Sequence, residues 1–380
     1  SGLPSAGSHG PSADVAIGRT TGNSNGGSNP DPTHVHSPEG FAVVSGKIFL
    51  ADYNNDRVVA HNSLPTADGR SHDIVLGQPH LETELWASAT SFSYPRGVAS
   101  DGTALFVSDY NNNRVLVYSS IPSTANASAD FVLGQADFIS SVASTSQTAL
   151  RNPRGLCVVG GKLYVVDYSA HRVLRYGLPI TADNPNAEAV LGQENWTSRG
   201  SGNSNSAFDR PISCASDGTR FYVSMEGKDK VHMWNSIPVM SDETDNPSAD
   251  VIIGTGSEGN ASNQIRNPRG IFATTSSLIV ADYQNHRVNI YNPLPTSDQP
   301  DLAYYLGVAA SRNTINSLRY PSDFALSPSG RAYVLDGQNS RVMVFEGLTG
   351  AYSPAAVAVM GQENFETGTE NPSLTKWSLG

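Results

Sequence analysis

The sequence is short of charge, of cysteine and of long apolar runs, and each shortage excludes something. Only 16% of its 380 residues are charged, too few for a helix-rich protein with a Lys/Glu surface. The net charge is -11 and the pI is near 5.2. No basic stripe interrupts that balance, which argues against nucleic acid as a partner, because a phosphate backbone needs clustered Lys and Arg. Anionic membranes are disfavoured for the same reason. No run of about 18 apolar residues occurs, so no segment reads as a spanning helix, and the first 30 residues lack the charged and apolar regions of a signal peptide. Few lysines and an abundance of Ser, Thr, Asn and Gly point to a secreted protein, extracellular or in the cell envelope. The two cysteines, Cys157 and Cys214, are too few for a disulfide framework. They fall on apolar strands of neighbouring repeats, one residue out of register, and are read as small buried hydrophobes rather than as a bridge.

What is present is turn formers and short apolar runs. Gly 35 and Pro 23, with much Ser, Asn and Asp, imply many tight turns. The stretch "LFVSDYNNNRVLVY" from Leu105 recurs as "IFLADYNNDRVVAH" from Ile48, "LYVVDYSAHRVLRY" from Leu163, "LIVADYQNHRVNIY" from Leu278 and "AYVLDGQNSRVMVF" from Ala332, with a degraded copy, "FYVSMEGKDKVHMW", from Phe221. A proline-led apolar segment such as "YPRGVAS" or "NPRGLCV" precedes each copy, and one such as "ADFVLGQ" follows. The anchoring prolines Pro38, Pro95, Pro153, Pro211, Pro268 and Pro321 stand 53 to 58 residues apart.

Each unit therefore holds four short strands, here called a (after the proline), b, c and d, in an antiparallel meander. Six units in series predict an all-β fold, a six-bladed β-propeller of four-stranded antiparallel blades. The chain reads as a single domain, 1–380, with blades at approximately 38–78, 95–135, 153–193, 211–254, 268–307 and 321–361. Strand d has one extra copy, at 12–18, and 362–380 form a C-terminal tail. The extra copy predicts closure by strand exchange between the termini.

The units resemble NHL repeats, in a longer bacterial-type form built around "LPT...AD.VLGQ" and "P.GV...G.LYV.D..N.RV". The resemblance runs over nearly all of residues 12–365. It implies a six-bladed propeller and leaves function open, since NHL-like propellers include binding modules, sensor domains and a few metal-dependent lyases and hydrolases.

Antiparallel order puts the b–c turns, the d–a connectors and the start of strand a on one face. Connectors of 17 to 19 residues before units 1 to 4 and of 13 before units 5 and 6 are long, and long loops carry function. The innermost position after each proline reads Glu39, Arg96, Arg154, Ile212, Arg269 and Ser322. Arg96, Arg154 and Arg269, with Glu39 and Asp323 of opposite sign on the adjoining units, form a candidate ligand-binding channel mouth. The competing expectation is that these arginines pair with neighbouring acids or carbonyls.

The recurring Asp–Arg pair that brackets each b–c turn, as in Asp109 with Arg114, reads as structure, because a catalytic or metal site is normally made once. His34 and His36, two apart in "THVHSPEG", are the candidate metal ligands, on the central axis. Trp86, which departs from the repeat, and Met225 and Glu226, where the fourth unit breaks its pattern, are candidates for an interaction surface. No nucleophile motif or phosphate-cradling loop is found. The reading favoured is a non-enzymatic binding or structural interaction module acting through the long-loop face. Its partner would be a protein, glycan or surface component, in a larger assembly, with no cofactor beyond a metal ion on the axis. The alternative is a metal-dependent lyase or hydrolase with its site at the channel mouth.

Overall fold

The computed structural model of the chain describes residues 38–62, 71–77, 87–240, 245–307, 317–326, 332–336, 341–345 and 358–360. These form six four-stranded antiparallel sheets, spanning 38–77, 95–133, 153–191, 211–253, 268–306 and 321–360 and arranged as a β-propeller. They are numbered 1 to 6 below. In sheet 2, strands a to d are Pro95–Ser100, Leu105–Asp109, Arg114–Tyr118 and Phe131–Leu133. Among the described residues no helix is long and apolar enough to cross a membrane.

Strands b and c are apolar on both faces because each sheet is packed on both sides. Every residue of Leu105–Asp109 and Arg114–Tyr118 is buried, so these runs lack the alternation of a half-exposed strand. Five apolar clusters fill the spaces between consecutive sheets. One joins Phe49 and Leu76 of sheet 1 to Leu105 and Val107 of sheet 2. Another joins Val173 and Leu191 of sheet 3 to Val223 and Trp234 of sheet 4. The inner strands of sheets 1 and 6 also touch.

The inner strands crowd at the axis, which explains the glycine of "PRG". A Cβ on Gly97 would stand 2.3 Å from the Arg154 carbonyl oxygen of the next sheet, and backbone cannot yield there. Gly97→Ala is expected to cost roughly 1–3 kcal/mol through overpacking, read as a fall in the urea midpoint; an unchanged midpoint would mean that the strands have slack.

Two expectations are corrected here. Each sheet is built from four consecutive strands, sheet 6 included, whose outer strand is Ala358–Met360 paired to its own strand c through Val342↔Met360. The sixth sheet is thus completed from within its own unit, and no exchanged strand occurs among the described residues. The extra copy at 12–18 and the tail at 362–380 lie outside them.

The second correction concerns the cysteines. Cys157 and Cys214 form a disulfide between the inner strands of sheets 3 and 4, with Cα atoms 5.9 Å apart. The one-residue offset that argued against a bridge is what makes it. Equivalent positions on successive blades point the same way round the ring and cannot meet. Side chains alternate along a strand, so a shift by one turns one cysteine back toward its neighbour. Cys157 sits opposite Tyr164, three residues before the strand-end Asp167, whereas Cys214 sits opposite Val223, two before Met225. Such cross-links belong to oxidising compartments, and this one is compatible with an extracellular location.

Candidate functional site

The b–c turn clamps the connectors. Asp109 Oδ2 accepts from Arg114 Nε at 2.7 Å, with both side chains fully buried. Asp109 Oδ1 accepts the Ser93 N–H, at 2.6 Å, from the connector entering the same blade. Arg114 donates onward to the carbonyls of Ser88 and Ser91, each at 2.9 Å, and to that of Phe138 in the next connector. Arg57–Asp52, Arg172–Asp167 and Arg287–Asp282 repeat the pair at 2.7, 2.8 and 3.0 Å. In sheets 1, 2, 3 and 5 a buried ion pair thus stands at the b–c turn, and the structural reading of the repeated motif holds there.

A second recurrent bond ties each blade to the following connector. Asp56, Asn113, His171, Asp229 and His286 accept, through a side-chain oxygen or Nδ1, the backbone N–H of the residue before the next inner proline. These residues are Tyr94, Asn152, Arg210, Asn267 and Tyr320, at 2.6, 2.9, 2.8, 2.6 and 3.1 Å. The innermost residues of strand a are thereby placed by both neighbours. The backbone of two arginines is held further by buried serines of the preceding sheet: Ser108 Oγ donates to Arg154 O at 2.7 Å and Ser224 Oγ to Arg269 O at 2.8 Å.

All six inner strands line one axial cavity of about 400 Å³, with Glu39, Arg96, Arg154, Ile212, Arg269, Ser322 and Asp323 in its wall. The arginines converge on Glu39. Arg96 Nη1 pairs with Glu39 Oε2, Arg154 Nη2 lies 3.4 Å from the same oxygen, and Arg269 Nη1 lies 3.8 Å from Oε1. Arg154 Nη1 is also 3.4 Å from Glu226 Oε2. Tyrosines pack on the guanidinium groups: Tyr53 and Tyr110 each lie 4.3 Å from that of Arg96, Tyr168 lies 5.3 Å from that of Arg154, and Tyr283 lies 3.7 Å from that of Arg269.

The charges in this ring reset one another. Burial works against ionisation of Glu39, but Arg154, Arg96 and Arg269 together outweigh it and hold the carboxyl below its usual range. Asp323 has no such partner among the described residues. Burial pushes its carboxyl up to about 7, against the Phe324 N–H that bonds it and with the Glu39 charge adding to the rise. A carboxyl raised in the folded state favours folding below its unfolded pKa of about 3.9, and that contribution is lost as the pH climbs through 7. Asp323→Asn is therefore expected to match the wild type in stability near pH 4, with an advantage that grows up to neutrality and then stays level. Denaturation midpoints across that range check it, and parallel curves would refute the shift.

The residues expected from sequence fare differently. Glu39, Arg96, Arg154, Arg269 and Asp323 all come together in the axial cavity, with Arg96 and Arg154 paired to acids as the competing expectation held and Arg269 3.8 Å from Glu39. Met225 is corrected: it is 1% exposed, packed between sheets 3 and 4, and offers no surface to a partner. It has replaced the buried aspartate of the clamp, so it inherits a core position. Glu226 stays partly exposed on the connector face, where it lies 3.4 Å from Arg154 Nη1 and accepts from Tyr168 Oη at 3.1 Å. His34, His36 and Trp86 lie outside the described residues. Tyr53, Tyr110, Tyr168 and Tyr283 were missed, although the signal was available: each follows the turn aspartate, where Glu226 stands in the fourth unit.

Residues 150–176 match the family model of the NHL repeat, a segment covering strands a to c of sheet 3, and with the propeller arrangement of the sheets this supports an NHL-repeat β-propeller. No curated protein sequence matches the chain. Among solved structures the chain is similar to the periplasmic gluconolactonase of Pseudomonas aeruginosa, with 15% identity, a TM-score of 0.54, and 92% of this chain and 90% of that one covered. It is similar also to a protein of Bacteroides uniformis assigned provisionally as a 6-phosphogluconolactonase, with 14% identity, a TM-score of 0.54, and coverage of 87% and 89%. A Bacteroides thetaiotaomicron protein of unknown function aligns with 13% identity, a TM-score of 0.50, and coverage of 86% and 72%. At these identities the likeness is one of fold.

Proposed function

With an NHL-repeat β-propeller as the premise, we propose that the chain is a secreted binding or structural interaction module whose recognition surface is the connector face around the axial cavity. One observation carries this reading. The long connectors are held by buried Asp–Arg clamps on the face where Glu39, the three arginines and their tyrosines open. Loops fixed on a rigid scaffold around a charged, aromatic centre suit recognition, because little ordering is needed on binding. The reading takes the six sheets as blades of one closed ring, supported by the contact of the first and sixth inner strands beside the common cavity. The partner is an extracellular protein, glycan or surface component. The disulfide supports the oxidising location.

The lyase or hydrolase reading, with a metal at the channel mouth, meets a physical obstacle at Glu39. A cation beside that carboxylate would stand among three guanidinium groups, which repel it. The gluconolactonase likeness, being of fold alone, does not offset this.

Screening the full chain against glycan and extracellular-protein arrays tests the proposal. Hits should be lost on substitution of Tyr94 or Arg210 on the connector face and kept on substitution of Arg220 on the opposite one. Hits that depend on Arg220 alone, or turnover of an array component, would refute it.

A further inference from the structure

The three axial arginines are not equally satisfied. Arg96 donates through Nη1 to Glu39 and through Nη2 to the Tyr53 hydroxyl at 2.9 Å, with two rings beside it, so that only its Nε is without an acceptor among the described residues. Arg154 spans two carboxylates. Arg269 has neither: its nearest carboxylate oxygen, at 3.8 Å, is beyond hydrogen-bond reach. Its Nε is buried with no acceptor among the described residues. Tyr283 covers one face of its guanidinium, leaving the in-plane N–H groups for an acceptor that no described residue supplies. Its side chain is only 19% exposed, and what exposure it has faces the axial cavity it lines. Buried donors of this strength are normally paired, and an exception calls for a reason.

We propose that Arg269 is the anion-receiving residue of the axial cavity and that its ligand is a small, singly charged carboxylate. The class follows from charge and shape. Arg96, Arg154 and Arg269 face Glu39 and Glu226, the latter shared with Arg210 at 3.9 Å; of the three, Arg269 alone has no carboxylate within hydrogen-bond reach among the described residues, and Asp323 is largely neutral on the acidic side of pH 7. A single carboxylate supplies the missing acceptor without placing a second negative charge beside Glu39, as a dianion such as sulfate would. The planar guanidinium edge matches a carboxylate in bidentate fashion. The inference goes beyond the proposed interaction role and needs no partner on the connector face.

Isothermal titration calorimetry of the full chain near pH 6 with acetate, benzoate, glucuronate and inorganic sulfate tests it. At least one monocarboxylate should bind the wild type, with affinity lower by about tenfold or more in Arg269→Gln, lower also in Arg269→Lys, which keeps charge without the fork, and unchanged in Arg220→Gln. Circular dichroism melts verify folding, and if the glutamine variant does not fold the lysine variant decides. No binding of any monocarboxylate, equal binding in the Arg269 variants, or sulfate binding tighter than all carboxylates would overturn the inference. Array partners retained by Arg269→Gln would show that the two proposals stand separately.

Discussion

Removing the cross-link, with Cys157→Ala and Cys214→Ala together, is expected to lower stability by about 2–4 kcal/mol. The bridge joins positions 57 residues apart, so its loss frees the unfolded chain over a full repeat. It also releases the inner strands of sheets 3 and 4 beside the axial cavity, whose wall includes Cys214. Denaturant midpoints with and without reductant measure the effect. The wild type should fall under reductant to the level of the double variant, and the double variant should not respond. A wild type indifferent to reductant would mean that the cysteines are unlinked in solution.

Arg114→Ala should cost about 3–5 kcal/mol, the range for breaking a buried ion pair by removing one partner. Asp109 would be left charged or forced to protonate in a fully buried site, and the Ser88, Ser91 and Phe138 carbonyls would lose their donor. The fourth unit shows how evolution relaxes the motif: Met225 and Lys230 stand in for the pair, and Lys230 reaches out to Asn203 Oδ1 at 2.8 Å. Asp109→Met with Arg114→Lys copies that arrangement into sheet 2 and removes the stranded carboxylate. It is expected to cost less than Arg114→Ala alone. Chemical denaturation of both variants decides; a double variant at least as unstable as the single one would show that the loop carbonyls, not the carboxylate, dominate the loss.

Much of this was legible because the repeat reports itself. Six proline-anchored units set the sheets, and antiparallel order alone put the turns, the connectors and the arginines on one face. The readings that failed needed geometry between units. Cys157 and Cys214 were judged by alignment, where equivalence suggests proximity, but adjacent blades meet through opposite strand faces and so bring non-equivalent positions together. Met225 looked like a surface novelty because hairpin turns are usually exposed, whereas the clamp carboxylate that it replaces is 0% exposed in its neighbours, as at Asp109 and Asp167. The tyrosines that follow the turn aspartate drew no expectation, since their reach to the arginines depends on the local turn, a 3₁₀ turn at Tyr53–Asn55. The unequal satisfaction of Arg96, Arg154 and Arg269 depends on ångström differences that no spacing encodes.

The central claim is that recognition is centred on the axial opening of the connector face. Its most direct test is a crystal structure of the chain bound to a partner from the array screen. The account predicts the partner seated over the connectors, in contact with Tyr94 or Arg210 and closing over the cavity that holds Glu39 and Arg269. A partner seated on the opposite face, against the Asp101 or Asp217 turns, with the axial opening left bare, would contradict it.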